Sequence, residues 1–145
     1  MRTLKLVIAY DGTNYAGWQR QANAIGIQQI IEDELAPILG TPTPLIAAGR
    51  TDAGVHAAAQ VASLRTDHPI ACDDLLRALN ARIKAGDIRI RAVEEAPAGF
   101  NARNDATSKT YRYTIWNGSQ PNPFYRHVVW HVPQHLDLEI GRAHV

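Results

Sequence analysis

The sequence predicts an α+β domain in which an antiparallel sheet is backed by two helices. Three observations carry that prediction. Two segments repeat apolar residues at helical spacing, and each lies between short apolar or alternating runs that read as strands. The helices separate pairs of strands, giving the order strand, helix, strand, strand, helix, strand, strand. The composition, 46% hydrophobic and 20% charged over 145 residues, suits one domain of ordinary size with a packed core.

Leu4 to Tyr10 is an apolar run broken by one lysine, as a well-buried strand requires. Asp11-Gly12-Thr13-Asn14 ends it. The Asp-Gly pair can turn a hairpin, but no second strand pattern follows, so Tyr15 to Gln21 reads as a long connection rich in hydrogen-bonding side chains. Asp11 reads as a turn-stabilising carboxylate that also has access to a site built here. Ile27, Ile30, Ile31, Leu35 and Ile38 recur at helical spacing, with Gln28, Glu32, Asp33 and Glu34 on other faces. Pro37 should bend or end this helix early, and Gly40 is a natural stop. Leu45 to Ala48 is the next strand, Gln60 to Leu64 the one after, and Asp67-His68-Pro69 a loop. Asp73-Asp74 complements a helix dipole, Leu75, Leu76, Leu79 and Ile83 form the apolar stripe, and Ala85-Gly86 ends the helix. Ile88 to Ala92 alternates cleanly, Ala96 to Gly99 is a connection, and Tyr111 to Trp116 alternates again before Asn117-Gly118 turns the chain. This order is that of a ferredoxin-like or RRM-like fold.

Composition excludes some classes of function. No apolar run approaches bilayer length, and Met1-Arg2-Thr3-Leu4-Lys5 leads into a strand with no cleavage site, so neither a membrane span nor a signal peptide is expected. A single cysteine, Cys72, rules out an internal disulfide and fits a reducing cytoplasm, where it serves as a small core or helix-start residue. The net charge is only +1, yet 12 of the 15 basic residues are arginine, the side chain suited to phosphate forks and base stacking. Between Gly99 and His131, Arg103, Lys109, Arg112 and Arg126 face one acid, Asp105, among seven of the ten aromatics. Such interleaving suits a nucleic-acid surface, and equally strands with aromatic inner and charged outer faces. His127, His131 and His135 stand four apart, but Pro133 and Val128-Val129 disfavour the helix that would gather them on a metal, so none is expected.

The chemistry concentrates in Gly49-Arg50-Thr51-Asp52-Ala53-Gly54-Val55-His56. Two glycines bracket Arg-Thr-Asp, so the backbone is free to turn sharply and approach a ligand. One carboxylate, Asp52, stands beside one guanidinium, Arg50, at the end of a strand. A short loop of this kind also serves simply to cap a turn, with the arginine solvated. The whole octet, however, resembles the signature of the TruA family of tRNA pseudouridine synthases. The first strand running into Tyr10-Asp11-Gly12 and then Gly17-Trp18-Gln19 resembles the same family, as does Phe100 to Asn104, with Asn101 where the family usually has histidine.

The resemblance implies a pseudouridine synthase domain forming the N-terminal half of a two-domain enzyme. It implies an isomerase that acts on uridines 38, 39 and 40 of the tRNA anticodon arm, working as a homodimer with neither metal nor organic cofactor. Asp52 is then the catalytic nucleophile and Tyr111 the ring that stacks on the extruded uracil. Arg50 holds Asp52 charged or fills the space of the flipped base. Phe100, Asn101, Ala102, Arg103 and Asn104 form an RNA-contacting segment, in which Asn101 leaves the histidine's contact in doubt. The catalytic domain is expected over residues 1–116, followed by a connection over 117–138. The last residues, Ile140 to Val145, read as a translated sequencing adapter (ATC GGA AGA GCA CAC GTC) that includes Glu139 if it began earlier, and they are set aside. Lacking a second domain, such a chain is expected to fold partially or to associate, with little activity. Two other readings stand beside this one. A non-catalytic RRM-like RNA-binding module has no need of the octet, and an aspartate-based hydrolase lacks a second recognisable acid or base.

Overall fold

A computed structural model describes residues 1–139. The chain divides into two compact units between Lys109 and Thr110. In the first unit the elements are β1 (Arg2–Tyr10), α1 (Ile27–Leu39), β2 (Ile46–Ala47), β3 (Ala57–Thr66), α2 (Cys72–Arg82) and β4 (Ile88–Ala96). The sheet order is β2-β3-β1-β4 with every neighbouring pair antiparallel. This is the α+β, ferredoxin-like arrangement that the order of elements predicts.

Alternation along β1 explains how the sheet is covered. Leu4, Leu6, Ile8 and Tyr10 are buried in one cluster with Ile27, Ile31, Leu35 and Leu39 of α1 and Leu75 and Leu79 of α2. The other face carries the Lys5–Glu94 ion pair at 3.1 Å and Ser63, whose hydroxyl accepts the Ala102 amide at 3.0 Å. The 100–105 segment therefore crosses that face. Asn80 of α2 takes both backbone groups of Ile90, donating to its carbonyl at 2.8 Å and accepting from its amide at 2.9 Å. This contact lies where the β1–β4 register shifts.

Several boundaries differ from the sequence expectation. Helix α1 runs through Pro37 to Leu39, because proline in a last turn forfeits only one bond. It stops at Gly40, whose φ of 79° is the left-handed conformation that glycine adopts without strain. Its buried stripe ends on Leu39, while Ile30 and Ile38 are only partly covered. Helix α2 ends at Arg82, before Ala85-Gly86, with Ile83 already extended at φ −73° and ψ 102°. Strands β3 and β4 are longer than their apolar patterns, since pairing with the nine residues of β1 carries polar positions along.

The second unit begins at Thr110. It holds β5 (Ile115–Trp116) and β6 (Trp130–His131), paired in parallel. The strand expected over Tyr111 to Trp116 is thus corrected to two residues: alternation makes a strand only where a partner supplies the ladder, and here the partner is equally short. Val128 and Val129 lie in a turn closed on the Tyr125 carbonyl, and His131 contacts the Gly118 carbonyl at 2.9 Å. Of the expected artefactual tail, residues 140–145 lie outside the described residues.

Candidate active site

The octet joins β2 to the Ala57 end of β3, beside the end of β1. Its residues alternate. Gly49 and Thr51 are partly covered, whereas Arg50 and Asp52 are exposed. The inward residues are held from below. The Thr51 hydroxyl lies 2.8 Å from the Tyr10 hydroxyl, and the Gln60 amide donates to the Gly49 carbonyl at 2.6 Å and to the Tyr10 oxygen at 3.4 Å. Burial pushes the Tyr10 pKa above its ordinary value, and its hydrogen bonds to Thr51 and Gln60 partly offset that rise. Beyond Asp52 the chain reverses: the Val55 amide donates to the Asp52 carbonyl at 3.1 Å, with Gly54 at φ 80°. Positive φ at the third position is what a type II turn demands.

The connection after β1 braces the same loop from its other side. The Trp18 amide donates to the Thr51 carbonyl at 3.0 Å, and the Gly54 amide to the Tyr15 carbonyl at 3.3 Å. The Gly12 amide donates to His56 Nδ1 at 2.9 Å. Two glycines make this approach possible. A β-carbon on Gly12 would lie 2.0 Å from the Val55 carbonyl oxygen, and one on Gly17 would lie 2.5 Å from that of Thr51. Trp18 is buried, and its ring centroid lies 6.0 Å from that of Tyr10. Asp11 accepts from the Thr13 amide at 3.0 Å and hydroxyl at 2.5 Å, capping the 3-10 turn Gly12–Asn14, and lies 3.1 Å from His56 Nδ1. The turn-stabilising reading of Asp11 is therefore the observed one, and no hairpin forms at Asp11-Gly12.

Among the described residues no ion pair joins Arg50 to Asp52. Both side chains instead project from the outward side of a loop whose inward side is fixed. The Lys109 side chain lies against Gly49, its Nζ 3.3 Å from where a β-carbon would stand. A cation that the sequence placed only among the basic residues of a possible nucleic-acid surface thereby reaches the octet.

The 100–104 segment is a turn built around its asparagine. Asn101 Oδ1 accepts from the Arg103 and Asn104 amides, both at 3.0 Å, and the Asn101 amide donates to Asp105 at 2.8 Å. Ala102 is buried, its amide bonded to Ser63, while Arg103 and Asn104 face solvent. Asn101 thus organises the turn that presents Arg103. A groove lined by Leu39, Thr43, Ile46, Ser63, Phe100 and Asn101 lies towards the Thr66 end of β3, away from the octet. Tyr111 belongs to the second unit, where it is exposed and outside any strand.

Sequence reasoning marked the octet but missed the parts beneath it: Tyr10, Gln60, and the close-packing roles of Gly12, Gly17 and His56. The Tyr10-Asp11-Gly12 and Gly17-Trp18-Gln19 segment signalled where to look, without saying what each residue touches.

Comparison with known proteins places this arrangement. Residues 6–105 match the family described as tRNA pseudouridine synthase, a span that includes the second half of β1, the glycine-bearing connection, the octet and the Asn101 turn. The chain is 50% identical over 143 residues to the tRNA pseudouridine synthase A of Geotalea uraniireducens, covering 99% of this chain and 58% of the relative. It is 49% identical over 142 residues to that of Geobacter sulfurreducens, covering 98% and 58%. With that of Acetivibrio thermocellus it shares 45% over 139 residues, covering 96% and 57%. The chain thus spans less than two-thirds of the length of these curated relatives. On the family match and these identities together, the chain belongs to the tRNA pseudouridine synthase family.

Proposed function

We propose that this chain carries the catalytic loop of an enzyme that isomerises uridine to pseudouridine in tRNA, at positions 38, 39 and 40 of the anticodon stem-loop, with Asp52 as nucleophile. One observation carries the reading: Asp52 projects to solvent from a loop whose neighbouring groups are anchored on three sides. A carboxylate that only capped a turn would be spent on local amides, as Asp11 is. A nucleophile must be accessible and yet held in place.

In this reading a target uridine is turned out of its stem, at a cost of roughly a few kcal/mol, and the Tyr111 ring stacking on it offsets part of that cost. The Asp52 carboxylate attacks uracil C6 or ribose C1′. The bond from C1′ to the base nitrogen breaks, the base turns, C1′ bonds to C5, and the C5 proton leaves to solvent as Asp52 is released. Arg50, projecting beside Asp52, keeps the Asp52 carboxylate charged or occupies the vacated stack. Arg103 and the exposed end of the Asn101 turn hold the phosphate backbone. Full activity belongs to a chain of the relatives' length, acting in the cytoplasm as a homodimer, and the 145-residue chain alone turns over weakly or not at all. Among the described residues no helix is long and apolar enough to cross a membrane.

The test is tritium release from tRNA containing 5-tritiated uridine, made with a chain of the relatives' length. Asp52→Asn is expected to abolish release while leaving tRNA affinity within a few-fold. Release by that variant would remove Asp52 from the nucleophile's role, and binding without release by the parent would favour a non-catalytic RNA-binding module.

A further inference from the structure

The residues beneath the octet form a polar layer at the end of an otherwise apolar core. Tyr10 is 4% and Gln60 8% exposed, and they face the helices alongside Leu4, Leu6 and Ile8 of β1 and Ala62 and Leu64 of β3. Polar groups at such positions are costly unless they are paired. Here the pairing runs to one another and to the octet. The Gln60 amide has only hydrogens to give, and it gives them to the Gly49 carbonyl and the Tyr10 oxygen. The Tyr10 hydroxyl in turn shares a hydrogen bond with the Thr51 hydroxyl at 2.8 Å, in which either oxygen can donate. The two contacts fall on Gly49 and Thr51, the residues on either side of Arg50, and the second adjoins Asp52.

We propose that Tyr10 and Gln60 are positioning residues for this site: a buried hydrogen-bonded relay that fixes the backbone carrying Arg50 and Asp52 without touching the substrate. The proposal rests on the reading of Asp52 as nucleophile. Phenylalanine and leucine fill the same space in the core, so the hydroxyl of Tyr10 and the amide of Gln60 contribute mainly to the placement of the loop. Losing the relay leaves the sheet paired and lets the octet shift relative to a bound uridine. A misplacement on the order of 1 Å is enough to lower a chemical step by about 100-fold.

Two measurements on Tyr10→Phe and Gln60→Leu test this. The first is amide hydrogen exchange in the 145-residue chain. The Trp18 and Val55 amides, which are bonded across the octet at 3.0 and 3.1 Å, should exchange roughly 3–10-fold faster, the effect of about one lost hydrogen bond. The paired core amides of Leu6 and Leu64 should be unchanged. The second is tritium release by the same variants in a chain of the relatives' length, where kcat should fall about 10–100-fold while KM for tRNA stays within a few-fold. Thr51→Val removes the same bond from outside the core and should reproduce both effects, which keeps the test decisive if a core variant fails to fold. Equal acceleration at Leu6 and Leu64 would make the pair a general stability element and overturn the proposal. So would unchanged exchange at Trp18 and Val55, or an unchanged kcat. A parent chain without any release would refute the functional reading itself, with the exchange pattern still deciding whether the relay anchors the loop.

Discussion

Replacing Gly17 with alanine asks the octet and the preceding connection to separate, and the structure sets the size of the effect. At φ 85° an alanine pays the left-handed penalty of roughly 1–2 kcal/mol. Its β-carbon would also stand 2.5 Å from the Thr51 carbonyl oxygen and 3.1 Å from the Asp52 carbonyl carbon, so both backbones must give by most of an ångström to reach ordinary contact. Forcing a packed region apart in this way costs a further 1–3 kcal/mol or so. The total predicted loss is about 2–5 kcal/mol, and the displacement falls on Thr51 and Asp52, the latter the proposed nucleophile. Gly40→Ala is the matched control. Its φ is 79°, and nothing lies within 4 Å of the added carbon. It should therefore lose only the roughly 1–2 kcal/mol of conformational strain and keep kcat. Urea unfolding of each variant reads the stability difference, and tritium release in a chain of the relatives' length reads the chemistry, where Gly17→Ala should fall by about 100-fold. Equal losses of stability in the two variants, with kcat unchanged in both, would refute the claim that close backbone approach positions the site.

Other predictions follow from contacts elsewhere in the fold. Arg103→Ala should weaken tRNA binding evenly across sequences and reduce the slope of log affinity against log salt by about one, because its exposed guanidinium is assigned to a phosphate; an unchanged salt slope would remove that assignment. Glu32 takes the Leu45 amide at 2.7 Å, the Gln28 side chain at 2.9 Å and Arg20 at 3.0 Å, with its own side chain 11% exposed. Glu32→Ala should accordingly cost about 2–3 kcal/mol in urea unfolding, and a loss below roughly half a kcal/mol would mean the network is dispensable. Burial, with the hydrogen bond to Asp87 adding to it, pushes the Tyr15 hydroxyl well above its ordinary value of 10.0. The folded state therefore keeps a proton that the unfolded chain gives up. This contribution is intact below about pH 10 and is lost as pH rises towards the folded value. Tyr15→Phe should flatten that alkaline part of the Tm-against-pH curve, and an unchanged curve would contradict the prediction.

The sheet-and-helix layout was legible because β1, α1 and α2 bury one face each, and that leaves a periodic trace. Ile27, Ile31 and Leu35 announce α1, and the even residues of β1 lie in an apolar run. Ends were less legible. Pro37 looked like a stop but sits where its missing amide costs little, and α2 ends at Arg82, with Ile83 already extended, before the Ala85-Gly86 stop signal is reached. Tyr111 to Trp116 alternates like a strand, yet a ladder needs a second strand, and periodicity in one segment says nothing about its partner. At the site, the octet was visible as a motif. Its support was not, because Tyr10 and Gln60 lie 50 residues apart and meet only through the β1–β3 pairing. The role of Asn101 was hidden for a similar reason, since an oxygen that accepts two nearby amides looks in sequence like any surface amide.

The glycines at 12 and 17 have a consequence for how the octet can be transplanted. Because the two backbones touch with no side chain between them, the eight residues are one half of an object whose other half lies some forty positions upstream. A fragment that starts after Trp18, or a loop graft into a foreign strand-turn-strand, would keep every letter of the motif and lose the surface it leans on. Design efforts that aim to move this carboxylate to another scaffold must carry both segments, or build a replacement for the missing one.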